Sequence, residues 1–157
     1  MFCPGARSIP IGLLTFFLLT PSYAQHSQSV EQRVFQAINQ VRTENKLLPL
    51  KWNAKIAEVA RSHSRRMATK RFFSHEDPQF GGPSDRLSAA RIAWRLCGEN
   101  IFEEYGEADP VRSAVRGWMA SSGHRKNILT RGFTYTGIGV AVGRDGSYTI
   151  TQMFAAF

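Results

Sequence analysis

Four side chains stand out as polar groups set among apolar or turn residues: His75, Glu76, Glu99 and His124. His75 ends the run "RFFSH", Glu99 stands in "GENIF", and His124 follows Ser121, Ser122 and Gly123 in "WMASSGHRKNIL". Each falls at the edge of an expected element, where a rigid scaffold presents side chains that carry function. Two imidazoles and a carboxylate are a set that zinc accepts, with the fourth position left to water. The members lie roughly 24 residues apart along the chain, whereas in H-E-x-x-H both histidines sit on one helix turn. The competing reading is a buried hydrogen-bond network that joins three elements and orders the fold.

These residues need elements to position them. In "SVEQRVFQAINQVRTENK", Val30, Val34, Ile38 and Val41 recur at helical spacing, and Ser29 with Gln32 has capping-box form. Pro49 interrupts, and Asn53 is placed to cap a second helix through "AKIAEVARSHSRRMATKRF". Its apolar line runs Ile56, Ala60, His63 and Met67, so His63 is expected inside, bonded to a backbone carbonyl. "SHEDPQFGGPSD" reads as a loop, and Ser84 or Asp85 as the cap of a short helix through "RLSAARIA". A short strand is expected at Ile101 and Phe102. Asp109 caps a helix that starts at Pro110, carries Val111, Val115 and Trp118 on one side, and stops at Gly123.

After that the period changes to two. In "TGIGVAVGRDGSYTITQMF", Ile138, Val140 and Val142 fall on one face and Gly137, Gly139, Ala141 and Gly143 on the other, with Asp145-Gly146 as a hairpin turn. The small face implies close approach by another element, or the floor of a cavity. Helices early and late, strands at the end and no βαβ rhythm predict an α+β sandwich with an antiparallel sheet. Trp52, Trp94 and Trp118 are expected to be packing anchors.

Residues 1–24 have the form of a secretory signal peptide: Arg7, then an apolar stretch from Ile9 to Leu19, then "SYA" before Gln25. The apolar stretch is shorter than the about 20 residues of a permanent membrane span. Residues 25–29 make a short tail, within which His26 is expected to be disordered. The remainder is the size of one domain, large enough to form a core without metals or disulfides. Removal of the signal takes Cys3 and leaves Cys97 alone, which reads as a buried small apolar residue, a link in a dimer or a reactive thiol. The net charge of +8 includes one unit from Arg7, so the exported chain stays basic and is suited to anionic polymers or lipid headgroups. The basic residues are scattered and no recognition motif accompanies them, which argues against specific nucleic-acid binding.

"RFFSH", "GENIF", "WMASSGHRKNIL", "YTGIGVAVG" and "YTITQMF" come in the order seen in the CAP (SCP) domain, the module of cysteine-rich secretory proteins, venom antigens and plant pathogenesis-related proteins. The chain most resembles the short bacterial branch, where the first helix, "LPLKWN" and "HSRRM" also match. The resemblance implies a three-layer α-β-α sandwich with a central antiparallel sheet, with residues 30–157 forming a single CAP domain. It implies a cleft holding two histidines and two acids, able in some members to take zinc or another divalent cation. By motif, His75, Glu99 and His124 are three of these, and Ser121 stands where the second acid usually lies. Serine cannot serve as a charged ligand or general base, and Glu76 or Ser122 are the candidates to compensate.

The expected function is a secreted binding or interaction module, extracellular or, in a Gram-negative source, periplasmic. Its expected partner is an envelope component, a lipid or an anionic polymer, with no transmembrane segment and a monomeric state unless Cys97 links two copies. A metal-assisted hydrolase is the alternative, with His75 and His124 as ligands and Glu99 as ligand or base for an activated water. A third reading makes Cys97 a nucleophile with His75 or His124 as its base.

Overall fold

A computed structural model describes residues 29–157. The expected signal peptide and His26 lie outside the described residues. Five helices and four strands run in the order α1 (Val30–Glu44), β1 (Lys51–Trp52), α2 (Ala54–Lys70), α3 (Pro83–Ala89), β2 (Leu96–Glu104), α4 (Pro110–Ala120), α5 (Ser122–Leu129), β3 (Tyr135–Val142) and β4 (Tyr148–Ala156).

Local chemistry sets most of these boundaries. The Ser29 hydroxyl accepts from the Gln32 N–H, Asn53 accepts from the N–H groups of Lys55 and Ile56, and Asp109 accepts from those of Val111 and Arg112. The short helix α3 starts earlier than its sequence suggests. Gly82 is the cap residue and Pro83 the first helical residue, while the Asp85 carboxylate accepts from the Gly82 N–H three positions back. Arg71 ends α2 in the left-handed region, a position more often given to glycine.

The sheet has the order β1-β3-β4-β2, with β2 and β3 both antiparallel to β4. The two-residue β1 pairs parallel with β3, so the sheet is mixed rather than wholly antiparallel. Strand β2 runs from Leu96 to Glu104, well beyond the expected Ile101-Phe102 segment. Its small and polar residues Cys97, Gly98, Glu99 and Asn100 give no apolar alternation, yet they hold full register with Ala155, Phe154, Met153 and Gln152 of β4.

Helices cover both faces, giving the three-layer α-β-α sandwich of an α+β protein. On one face Val34, Ile38, Val111, Ala114, Trp118 and Ile128 pack on Ile138, Ile150 and Phe154. On the other, Ile56, Ala60, Leu87 and Ile92 pack on Met153 and Ala155. Trp118 is fully buried, and its indole N–H donates to the Ile101 carbonyl at 2.9 Å. Trp52 packs edge-on against Phe35, whereas Trp94 stays partly exposed and donates to the Ser88 hydroxyl. Among the described residues no helix is long and apolar enough to cross a membrane.

Candidate functional site

In the strand order β2 is an outer strand, and the predicted residues gather about it. Glu99 points to the α2 and α3 face, where its side chain is 1% exposed. His75, from the loop after α2, donates from Nδ1 to Glu99 Oε1 at 2.8 Å. Because a carboxylate only accepts, this bond places a proton on His75 Nδ1 and fixes the orientation of the ring. His124 reaches the same place from α5, its ring centroid 6.1 Å from that of His75.

Two asparagines fix the edge. Asn127 donates to the Glu99 carbonyl and to the Asn100 side-chain oxygen, both at 2.9 Å, and Asn100 donates to the His124 carbonyl at 3.2 Å. These bonds occupy polar groups of an outer strand that another chain could otherwise pair with. They also tie α5 to β2. At the other end of α5 the buried Arg42 guanidinium donates to the carbonyls of Ile128 and Thr130. A cation at a helix C-terminus is favourable for the helix dipole.

The expected turn at Ser121 to Gly123 is therefore a junction between two helices. α4 ends at Ala120, Ser121 links, and α5 begins at Ser122 with Gly123 inside its first turn. His124 is consequently held on a helix near its N-terminus. Ser121 is partly buried and brings no carboxylate, Ser122 is exposed, and Glu76 lies against Gly82, where an added Cβ would stand 2.9 Å from its Oε1.

Two participants lie outside the expected site residues. Arg86, on α3, donates from Nη2 to Glu99 Oε2 at 2.5 Å and from Nη1 to the carbonyls of His75 and Gly81. Its side chain is 5% exposed, so this is a buried ion pair. His63, expected only in the core, donates there from Nε2 to the Ser74 carbonyl at 3.0 Å. It also brings that nitrogen to 3.9 Å from Glu99 Oε1. A lone arginine on a short polar helix carries no signal of burial, whereas the apolar line of α2 already places His63 inward.

Burial sets the protonation states. It holds the His63 imidazole below the usual histidine range, against the opposing pull of Glu99. His124 is lowered too, first by burial and then by the neighbouring His75. The half-buried Cys97 thiol is raised by burial and then by Glu99 and Asp85, which suits a packed thiol and not a nucleophile.

The donors at hand do not make a closed zinc site. Glu99 is consumed by His75 and Arg86, and Ser121 supplies no second carboxylate. Among the described residues no three of histidine, cysteine, aspartate and glutamate gather as metal ligands. Two imidazoles remain, and catalytic zinc sites use three protein ligands.

This architecture is that of a CAP domain, and the comparisons agree: residues 35–154 match the family described as the cysteine-rich secretory protein family, to which the chain belongs. It is 35% identical over 120 residues to the uncharacterised Bacillus subtilis protein YkwD, covering 76% of this chain and 46% of that one. The chain thus spans less than half the length of this curated relative. Among solved structures, an extracellular protein containing an SCP domain from Bacillus anthracis is 35% identical with a TM-score of 0.70, covering 82% of this chain and 40% of the other. An outer surface protein of Borrelia burgdorferi has a TM-score of 0.71 at 17% identity, covering 79% and 90%, a likeness of fold alone.

Proposed function

We propose that the chain is an exported, non-catalytic binding module whose His75–His124 edge takes an anionic group of an envelope component. The observation that carries this reading is the state of Glu99. A general base must face a bound water, and the Glu99 carboxylate is 1% exposed and closed over by its bonds to His75 and Arg86. The first turn of α5 and the exposed Arg125 and Lys126 offer an anion helix N–H groups and positive charge beside the two imidazoles. Export is supported by the form of residues 1–24 and by the extracellular description of the B. anthracis relative. Metal-assisted hydrolysis is the second reading, favoured only by the pair of imidazoles.

Co-sedimentation of the exported chain with phosphatidylglycerol vesicles, beside phosphatidylcholine vesicles, tests the proposal. Saturable binding to the anionic vesicles that falls at least tenfold in Arg125→Ala/Lys126→Ala supports it. A chelator-sensitive hydrolysis lost in Glu99→Gln would overturn it in favour of the hydrolase. Calorimetric titration with zinc should give binding weaker than micromolar at neutral pH.

A further inference from the structure

The register of the sheet brings several segments to one end of the sandwich. Lys51 of β1 pairs with Tyr135 of β3, Tyr135 with Ala155 of β4, and Ala155 with Cys97 of β2, so β1, β2 and β3 all begin where β4 finishes. The loop after α1 reaches the same end, because Arg42 donates from Nε to the Leu48 carbonyl and from Nη1 to the Thr130 carbonyl. The loop before β2 completes the row. There the Arg95 N–H donates to the Ala156 carbonyl at 2.7 Å, and an added Cβ on Gly132 would stand 3.0 Å from Leu96 Cδ2.

Two kinds of side chain collect on these segments. Lys46, Lys51, Arg91, Arg95 and Arg131 are exposed, and among the described residues none of the five forms an ion pair. Scattered in the sequence, they are gathered by the fold. Glu44, which accepts from Gln40, is the one acid that ends α1 beside them. Interleaved with the cations are apolar tips: Leu48 is 84% exposed, Phe157 54% and Trp94 39%. The Phe157 ring stacks on Tyr135 at 4.8 Å between centroids, and the Trp94 indole N–H donates to the Ser88 hydroxyl, which holds both rings at the surface.

Charge and apolar surface together select the occupant. At the far end of the strands Arg71 and Arg144 share a hollow with Glu103 and Asp145, so positive charge is offset there. That asymmetry turns the first end toward an anionic surface. A soluble polyanion would engage the cations and leave Leu48 in water. A bilayer with anionic headgroups takes both kinds of side chain, because cations lie over its phosphates while aromatic and aliphatic tips enter the boundary with the acyl chains.

We propose that this end of the sandwich is a docking surface for an anionic lipid bilayer, with Leu48, Trp94 and Phe157 entering the headgroup boundary and the five cations lying over the phosphates. It adjoins the C-terminal end of α5 but uses none of His75, Glu99 and His124. It does not rest on the function proposed for that edge.

The test is binding of the exported chain to phosphatidylglycerol vesicles with brominated acyl chains, beside phosphatidylcholine vesicles carrying the same chains. Bromine quenches an indole that reaches the acyl boundary, whereas Trp118 is fully buried and Trp52 packs on Phe35. Tryptophan emission should fall on the anionic vesicles for the wild type and stay level for Trp94→Phe. Leu48→Ser, at an exposed loop position, should weaken co-sedimentation with the anionic vesicles about tenfold. Arg95→Ala with Arg131→Ala should weaken it about thirtyfold. Arg125→Ala/Lys126→Ala should leave the quenching of the bound chain in place, so failure of the His75–His124 edge and failure of this end are read apart. Co-sedimentation without quenching, and unchanged in Leu48→Ser, would overturn the proposal and leave this end to a soluble polyanion. Equal quenching on phosphatidylcholine, or no binding to either vesicle, would overturn it as well.

Discussion

The carboxylate of Glu99 decides what the edge of β2 can do. In "GENIF" it resembles a free acid between two histidines, and nothing nearby in sequence announces Arg86. The partner comes from another element, thirteen positions earlier, and only the packing of α3 against β2 brings it in. A site residue is therefore legible when its own motif carries it, as for His75, Glu99 and His124, and illegible when a long side chain from a plain helix completes the set. Glu99→Gln removes the charge that Arg86 faces while keeping the shape. Leaving one member of a buried pair alone should destabilise the fold by about 3 kcal/mol, read as a lower urea midpoint. Replacing both together, Glu99→Met with Arg86→Met, should cost less than the single change, because no uncompensated charge remains. A double variant less stable than Glu99→Gln would mean that the pair itself holds the loop of His75 in place.

At the scale of elements, the sheet's small face shows how far periodicity reaches. Gly137 and Gly139 alternate with apolar residues, and that pattern already calls for a close neighbour. The structure supplies α2. A Cβ on Gly139 would stand 2.0 Å from the Arg61 amide nitrogen, and one on Gly137 2.1 Å from that of Ala57. Ser64 fixes the same approach by donating to the Gly139 carbonyl at 3.0 Å. Gly139→Ala must push a whole helix backbone outward, and should lower stability by about 3 kcal/mol, at the upper end for overpacking. A near-wild-type urea midpoint would show that α2 can lift without loss. β2 and α5 are harder to read for a related reason. Cys97 to Asn100 pair as a strand through backbone register with β4, and Ser-Ser-Gly starts a helix because Arg42 and Asn127 hold its body. Arg42→Met removes the bonds to Ile128 and Thr130. It should cost about 2 kcal/mol and raise amide exchange across α5 more than across α1, whereas uniform exchange would deny α5 this support.

Across the whole molecule, buried titratable groups tie stability to pH with a definite sign. His63 and His124 are both held below the usual histidine range in the folded chain, with burial the main cause. Each takes up its proton more readily when unfolded. Their contribution is complete above the unfolded value of about 6.5 and is lost as pH falls below it. Asp77, held by both Arg66 bonds and by the N–H groups of Gln79 and Phe80, is depressed far below the usual carboxylate range. Its contribution is complete above about pH 4 and is lost below that. Urea midpoints should therefore be level between pH 7 and 8, decline from about pH 6.5, and decline again below about pH 4. While it is being lost, each group accounts for at most about 1.4 kcal/mol per pH unit. His124→Ala should make the first decline shallower without moving the second, because His63 still titrates. Asp77→Asn should make the second shallower, with Glu58 and Asp145 still titrating there, and should extend the first to lower pH, because its charge no longer helps His63 take up a proton. A midpoint that stays level from pH 7.5 to about 5 would mean that both imidazoles remain as easily protonated folded as unfolded, their burial notwithstanding.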